Sequence, residues 1–306
     1  MRPALAKAVD AGRPAVLATL YRVEGSAPRG PGAQMLFDGA EASGYFSGDC
    51  IEGDVANHAA QVLTDGEPRH LHYGMGSPWI DIRLRCGGAL HVFVEKVQAG
   101  CQAAHDLLEC AARRQVCLWS SDGKTREVAC KDGPPLTTQA EPFRLVRRYE
   151  PARRLIVSGG DPGALAVAQL GMLAGFETIL IRPGGPHGPP PFAVSQYIRQ
   201  EPENALAQLG IDGWTAYVGA THEDHHDLGG CLHALQNGAA YVGMIGARSR
   251  SQDRLGALRA AGASEAELAR LSLSPGLRGL GKAPWEVATG ILAEVMTALA
   301  PAYEPT

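Results

Sequence analysis

The sequence predicts an α/β protein in two parts, an α+β half followed by a half built on a parallel sheet. Three observations carry this expectation. Hydrophobic residues make up 45% of the 306-residue chain and charged residues only 20%, enough apolar material for a packed core and too little charge for wholesale disorder. The first half alternates strands with glycine turns. The second half alternates short apolar strands with helical patterns, which is the rhythm of a parallel sheet. The length suits two domains. They are expected at residues 1–130 and 151–306, joined by a linker at 131–150, a polar, proline-bearing stretch without periodicity.

The opening MRPALAKAVDAG reads as a short amphipathic helix with neither the apolar core nor the cleavage site of a signal peptide. Ala15–Arg22 is a buried strand by composition. It runs into a loop, Val23–Gly32, holding three Gly and two Pro. Ala33–Phe37 is a second strand, and Asp38-Gly39 a turn signal. After the break at Ser47-Gly48-Asp49, Cys50–Leu63 reads as a helix, with Ile51, Val55, Ala59 and Val62 on one face. Asp49 with Glu52 three residues on resembles a capping box. Trp79–Leu84 and Ala89–Glu95 are expected to pair as strands around Cys86-Gly87-Gly88. Residues 98–114 form a helix, and Val116–Ser120 with Thr125–Ala129 a hairpin.

In the second half Arg154–Val157, Thr178–Ile181, Thr215–Val218 and Ala240–Ile245 are the short apolar strands. Residues 183–191 (PGGPHGPPP) are a rigid insert. The last helix has Pro284 in its first turn and Val287, Ile291, Val295 and Leu299 on its buried face.

Lys and Arg number 28 and Asp and Glu 32, a formal charge of −4. A general nucleic-acid binder is usually basic, so no nucleic-acid partner is expected. Apolar runs such as Leu155–Val157 are far too short for a membrane span, and a cytoplasmic location is the default. Seven Cys with no Cys-x-x-Cys argue against a disulfide framework, a zinc ribbon and a thioredoxin-type motif.

Four segments have chemical content. Ser158-Gly159-Gly160-Asp161-Pro162-Gly163 follows a strand and opens an Ala-rich helix. It is the dinucleotide-binding arrangement with Ser158 in place of the first glycine. Gly160 would let a phosphate approach the backbone, and Gly163 would let helix and strand pack closely. Pro162 removes one N–H donor, and the second strand ends in Ile181-Arg182-Pro183, where an acidic residue would hold a ribose hydroxyl. A turn of this type that binds no nucleotide is the other reading. The second segment joins the loop Gly25-Ser26-Ala27-Pro28-Arg29-Gly30-Pro31-Gly32 to Ser47-Gly48-Asp49-Cys50. Glycine backbone with an Arg suits an anion. Cys50, at the expected start of a helix, is a candidate nucleophile or soft-metal ligand, although Asp49 opposes a thiolate. The plainer reading is a tight turn and an inert Cys. The same plain reading is applied to Cys101, Cys110, Cys117, Cys130 and Cys231.

The third segment, Thr221-His222-Glu223-Asp224-His225-His226-Asp227, has His222 and His226 four apart, as a helical metal pair would be. It directly follows a strand, however, where a polar crevice wall or a helix cap is also expected. No metal site is assigned. The fourth, Gly243-Met244-Ile245-Gly246-Ala247-Arg248-Ser249-Arg250, ends a buried strand with glycine and two Arg. It is either a phosphate clasp or a solvated helix start.

Taken in order, these segments resemble the XdhC/CoxI family of xanthine dehydrogenase accessory proteins. In the first half the resemblance rests on Gly25-Ser26-Ala27-Pro28-Arg29, Ser47-Gly48-Asp49-Cys50-Ile51-Glu52 and Cys86-Gly87-Gly88. In the second it rests on the Rossmann-like turn, on Thr221–His225, on Tyr241–Arg248, and on Pro275-Gly276-Leu277, Lys282–Ala288 and Ala293-Glu294. It covers nearly the whole chain, and order and spacing carry it rather than any single piece.

The resemblance implies an N-terminal α+β domain followed by a C-terminal Rossmann-like parallel-sheet domain, in a homodimer. It implies a chaperone that binds molybdenum cofactor (molybdopterin), supports its sulfuration and inserts it into a xanthine dehydrogenase-type molybdenum hydroxylase client, with a cysteine desulfurase as a further partner. Cys50 would be the reactive group. Gly25, Ser26, Arg29, Gly48, Cys50, Glu52, Gly160, Gly163, His222, Gly246 and Arg248 would hold the cofactor. An accessory protein is expected rather than a stand-alone catalyst. The chain departs from the family pattern at Asp49, where a second Gly is usual, at Asp161-Pro162 in the turn, and at Arg182-Pro183 with the 183–191 insert. The alternative is an NAD(P)-dependent oxidoreductase using the C-terminal crevice, where Arg182 would favour a 2′-phosphate.

Overall fold

The structure, a computed structural model, describes residues 1–77, 84, 87–277 and 279–300. It divides into two compact units, Met1–Pro151 and Ala152–Thr306.

The first unit runs α1 (Arg2–Asp10), β1 (Ala15–Glu24), β2 (Gln34–Phe37), β3 (Ala42–Ser43), α2 (Glu52–Asp65), β4 (Arg69–Gly74), β5 (Ala89–Val97), α3 (Gln102–Ala112), β6 (Cys117–Ser121), β7 (Arg126–Ala129), β8 (Leu136–Ala140) and β9 (Phe143–Tyr149). Among the described residues β3-β2-β1-β5-β4 form one antiparallel sheet and β7-β6-β9-β8 another. The first six residues of β1 are buried without alternation, because both faces of the sheet are covered. On one face Val16, Ala18 and Leu20 meet Val55, Ala59 and Val62 of α2. On the other, Leu17 meets Leu5 of α1, Leu107 of α3, and Trp119 and Tyr149 of the second sheet.

The stretch 131–150, expected as a linker, is therefore folded. Its strands β8 and β9 complete the second sheet. It reads as a linker because β8 is mostly exposed and β9 turns only Leu145 and Tyr149 fully inward, with Arg144 and Arg148 on its other side and Arg147 between the two buried residues. β5 pairs with β1 and with β4, a His-rich strand that composition does not reveal. The expected strand Trp79–Leu84 lies outside the described residues except for Leu84, as does Cys86.

The second unit runs β10 (Arg154–Gly159), α4 (Pro162–Leu173), β11 (Glu177–Ile181), β12 (Gln196–Ile198), α5 (Pro202–Leu209), β13 (Thr215–Ala220), α6 (Asp224–Gln236), β14 (Tyr241–Met244), a single 3-10 turn at Arg248–Arg250, α7 (Ser251–Ala260), α8 (Glu265–Leu268), β15 (Leu271–Leu273) and α9 (Pro284–Ala298). The sheet is wholly parallel, in the order β12-β11-β10-β13-β14-β15. β10, β11, β13 and β14 are nearly all apolar because the sheet is covered on both faces: α4 and α9 pack on one side, α5, α6, α7 and α8 on the other. The α/β expectation, with a Rossmann-like second unit, is borne out.

The 183–191 insert stands where a helix would join β11 to β12. Tyr197 donates to the Pro186 carbonyl at 2.9 Å and Arg199 to that of Gly185 at 2.7 Å, pinning the insert to β12. Among the described residues no helix is long and apolar enough to cross a membrane.

Candidate functional site

In the first unit two glycine-bearing loops meet. The guanidinium of Arg29, from the loop after β1, lies over the Tyr45 ring at 4.8 Å. The first loop is braced from behind. Arg147 of β9 donates to the Gly32 carbonyl at 2.8 Å. Gly25 has φ +74, and a side chain there would meet the backbone of Gly88. Gly88 in turn must lack a side chain, since one would strike the carbonyls of Ser26 and Glu24. Gly25 and Ser26 are exposed, and Arg29 is half-buried.

The second loop is organised by Glu52, the first residue of α2. Its carboxylate accepts the backbone N–H groups of Phe46 (2.7 Å), Ser47 (2.6 Å), Gly48 (3.3 Å), Asp49 (2.8 Å) and Ile51 (3.2 Å), together with the Ser47 hydroxyl (2.7 Å). Burial pushes this carboxyl's pKa up, but the hydrogen bonds from Ser47 and Phe46 outweigh burial and bring it down to about 2. Glu52 thus occupies the anion position of its own loop. Its oxygens face inward, so the expected contact with a cofactor is replaced by a structural one.

The helix cap is Ile51, and Asp49 caps nothing with its side chain. Only the return half of the expected capping box exists, the bond from Asp49 N–H to Glu52. The backbone N–H of Cys50 is likewise taken, by Ser47 Oγ at 3.0 Å. The free N–H groups expected to favour a Cys50 thiolate are therefore spoken for. The thiol itself is exposed at the tip of the loop. Gly48 at φ +75 and Asp49 at φ +88 both adopt left-handed backbone, which costs a residue with a Cβ about 1 kcal/mol. That is the physical reason a glycine fits position 49 better than Asp.

In the second unit the strand order reverses between β10 and β13, and the carboxyl edge there is where a parallel sheet offers its crevice. Asp161 follows β10 and His222 follows β13. Their side chains meet across this edge at 3.2 Å. Asp161 also caps α4, accepting the Ala164 N–H at 2.8 Å. The two glycine roles expected here shift. The space above Gly160 is filled by Arg182, whose Nε lies 2.6 Å from where a Cβ would stand, so a side chain rather than a phosphate uses it. Gly163 faces the Asp161 carboxylate. Close packing is instead permitted by Gly159, where a Cβ would run into the Ala220 carbonyl of the next strand and meet Ala164 of α4, and by Gly171 of α4, where it would meet Leu155 of β10. Among the described residues the Arg182 guanidinium has neither a hydrogen-bond nor an ion-pair partner.

His222 lies outside α6, at φ +64, so it shares no helical face with His226, which pairs with Glu201. The four-residue spacing of these histidines is not a metal pair. Beneath them Asp227 is buried and accepts the N–H (3.0 Å) and hydroxyl (2.8 Å) of Thr221. Burial raises its carboxyl pKa.

At the far side of the same edge lies a cavity of about 570 Å³ whose lining includes Gly246, Arg248, Gly276, Gly281, Lys282 and Glu286, the Glu286 carboxylate lying against Gly281. This volume suits a small-molecule site. Arg250 is neutralised by Asp224, and a side chain at Gly246 would run into Arg254. Arg248 and Lys282 remain without a carboxylate partner among the described residues. The wall is held by Glu294 of α9, which accepts from Tyr241 (2.8 Å), Ser272 (2.9 Å) and the Gly276 N–H (2.7 Å). Sequence assigns no role to Lys282 or Glu294. Only the return of the chain past β15 brings them to this edge.

An antiparallel α+β unit followed by a Rossmann-like unit, with an exposed cysteine on a glycine loop of the first and, among the described residues, cations without a carboxylate partner at the sheet edge of the second, places the chain among two-unit α/β proteins. Comparison with known proteins narrows this class. Residues 8–74 match the XdhC and CoxI family model and residues 155–295 the XdhC Rossmann domain. The chain belongs to the XdhC/CoxI family. It is 28% identical over 294 residues to the molybdenum cofactor insertion chaperone PaoD of Escherichia coli, covering 94% of this chain and 85% of that protein. It is 25% identical to a probable xanthine dehydrogenase subunit of Bacillus subtilis, covering 92% of each. A crystal structure described as a xanthine dehydrogenase from Bacillus halodurans shares the fold, with a TM-score of 0.77 at 22% identity, over 97% of this chain and 95% of that one.

Proposed function

We propose that this protein binds molybdenum cofactor as cargo and inserts it into a xanthine dehydrogenase-type molybdenum hydroxylase. The observation that carries the reading is the cavity at the sheet edge, where Arg248 and Lys282 have no carboxylate partner among the described residues. Molybdopterin ends in a phosphate, and two cations without a carboxylate partner suit a phosphate. Arg182, over Gly160, is a third unpaired cation on the same edge. Separately, in the first unit exposed Cys50 is a soft group suited to a sulfur-transfer step. The names of the two curated relatives support the reading.

Support for sulfuration with a cysteine desulfurase, action as a homodimer and residence in the cytoplasm belong to the same proposal. The test is equilibrium binding of cofactor released from a molybdoenzyme, followed by activation of an apo-hydroxylase. Arg248→Ala is expected to weaken binding roughly tenfold, the worth of one charge-assisted hydrogen bond. Cys50→Ser is expected to abolish client activation. Unchanged binding in the first variant removes the cavity from the reading, and unchanged activation in the second removes Cys50. Calorimetric binding of NAD or NADP in place of molybdenum cofactor would replace the reading altogether.

A further inference from the structure

Unit 1 holds a second concentration of reactive side chains, outside the Cys50 loop. Cys110 is on the inner face of α3, Cys117 begins β6, and Cys130 directly follows β7. The β6–β7 register pairs Leu118 with Ala129, so one residue further along the ladder Cys117 stands opposite Cys130. α3 packs on both strands. It brings Cys110 within hydrogen-bonding reach of the other two thiols. Cys110 and Cys117 are buried at 3% and 1% exposure, whereas Cys130 is exposed. A cavity of about 150 Å³ opens beside them, lined by Cys110 and Cys130 with Asp106, Glu109, Arg113 and Val128. Cys117 does not line it.

Three thiols meeting by chance on three elements is an unusual use of cysteine in a chain whose expected framework contains no disulfide. The trio does not have the geometry of a metal clasp among the described residues, which leaves thiol chemistry. The order of events follows from access. Cys130 meets solvent first. Cys110 faces it across the cavity and is held as a thiol, because burial and its bond to Cys130 push its pKa up to about 12.

We propose that Cys130 and Cys110 are a redox-active pair that reduces organic disulfides reaching the exposed Cys130 thiol. The Cys130 thiolate attacks one sulfur of RS–SR, the S–S bond breaks, and RS⁻ leaves and takes up a proton. The sulfur of the Cys110 thiol then attacks the Cys130 sulfur of the mixed disulfide, and its proton passes to the second departing RS⁻ as the Cys130–SR bond breaks. Two protein thiols are oxidised to one Cys110–Cys130 disulfide, and one RS–SR is reduced to two RSH. Cys117, buried behind them, stays a thiol. The closed bond ties α3 to the end of β7.

The test treats the whole chain with oxidised glutathione, quenches it in acid, unfolds it in denaturant, blocks all remaining thiols by alkylation and maps the peptides by mass spectrometry. The expected result is joint loss of alkylation at Cys110 and Cys130, a peptide pair linked by those residues, and no glutathione retained on Cys130. Cys110→Ser is expected to trap glutathione on Cys130. Cys130→Ser, a change at an exposed position, is expected to leave Cys110 fully alkylated. A lasting glutathione adduct on Cys130 of the unaltered protein, or a link between Cys117 and Cys130, would overturn the assignment.

Discussion

Each unit presents a glycine-rich turn with a carboxylate at the place where an external anion would sit, and the two differ in how completely that carboxylate is used. Glu52 accepts five backbone N–H groups and a hydroxyl. Asp161 accepts one N–H and touches His222. The first loop is saturated from within. The second is capped lightly and keeps unpaired cations beside it. A glycine turn therefore does not announce an anion site by its glycines. What decides is whether the chain supplies its own anion, and with how many bonds.

The largest expected effect that would break this comparison is that of Glu52→Ala. It strands five N–H donors in a half-buried loop, where water replaces part of what is lost, and is expected to cost roughly 2–4 kcal/mol. Urea unfolding with an unchanged midpoint would show that the loop is not organised by Glu52. Asp161→Ala removes one cap bond and is expected to cost only about 1 kcal/mol. A cost equal to that of Glu52→Ala would erase the contrast between the loops.

The pH dependence sharpens it further. The Glu52 pKa falls from 4.5 to about 2 on folding. Its contribution is thus full above pH 4.5 and lost as pH falls through 2. Glu52→Gln is expected to flatten the acid limb of the stability curve in that window, and an unchanged limb counts against the bonding described. The smallest effect is that of Asp49→Gly. Relief of left-handed backbone at φ +88 is expected to stabilise the protein by about 0.5–1 kcal/mol, read as a small rise in melting temperature. A fall would mean that Asp49 makes a contact worth more than its strain.

Much of the second unit is legible in the sequence. β10, β11, β13 and β14 are unbroken apolar runs because the sheet is buried on both faces, and α9 shows its inner face through Val287, Ile291 and Val295. In the first unit β8 and β9 are illegible for the converse reason. β8 leaves most of its residues in solvent, and β9 carries arginines on both of its sides, so neither has an apolar alternation to read.

The site residues divide in the same way. Cys50, Arg29 and Arg248 stand out by residue type and glycine flanks. The inward turn of Glu52 depends on loop torsions at Gly48 and Asp49. The filling of the space above Gly160 depends on Arg182, a strand away. Cys117 and Cys130 are brought opposite each other only by the hairpin register.

The saturation of the Cys50 loop also bears on release. With its donors already satisfied, the loop would need no reshaping to take up a cargo at Cys50 under the proposed function. Holding something at Cys50 requires no ordering of the backbone, and letting go leaves nothing to refold. It also gains no backbone hydrogen bonds, so attachment there depends on the sulfur and the groups that reach it. If Cys50 plays the proposed part, it would hold its cargo through a single bond and leave the loop as it was after transfer.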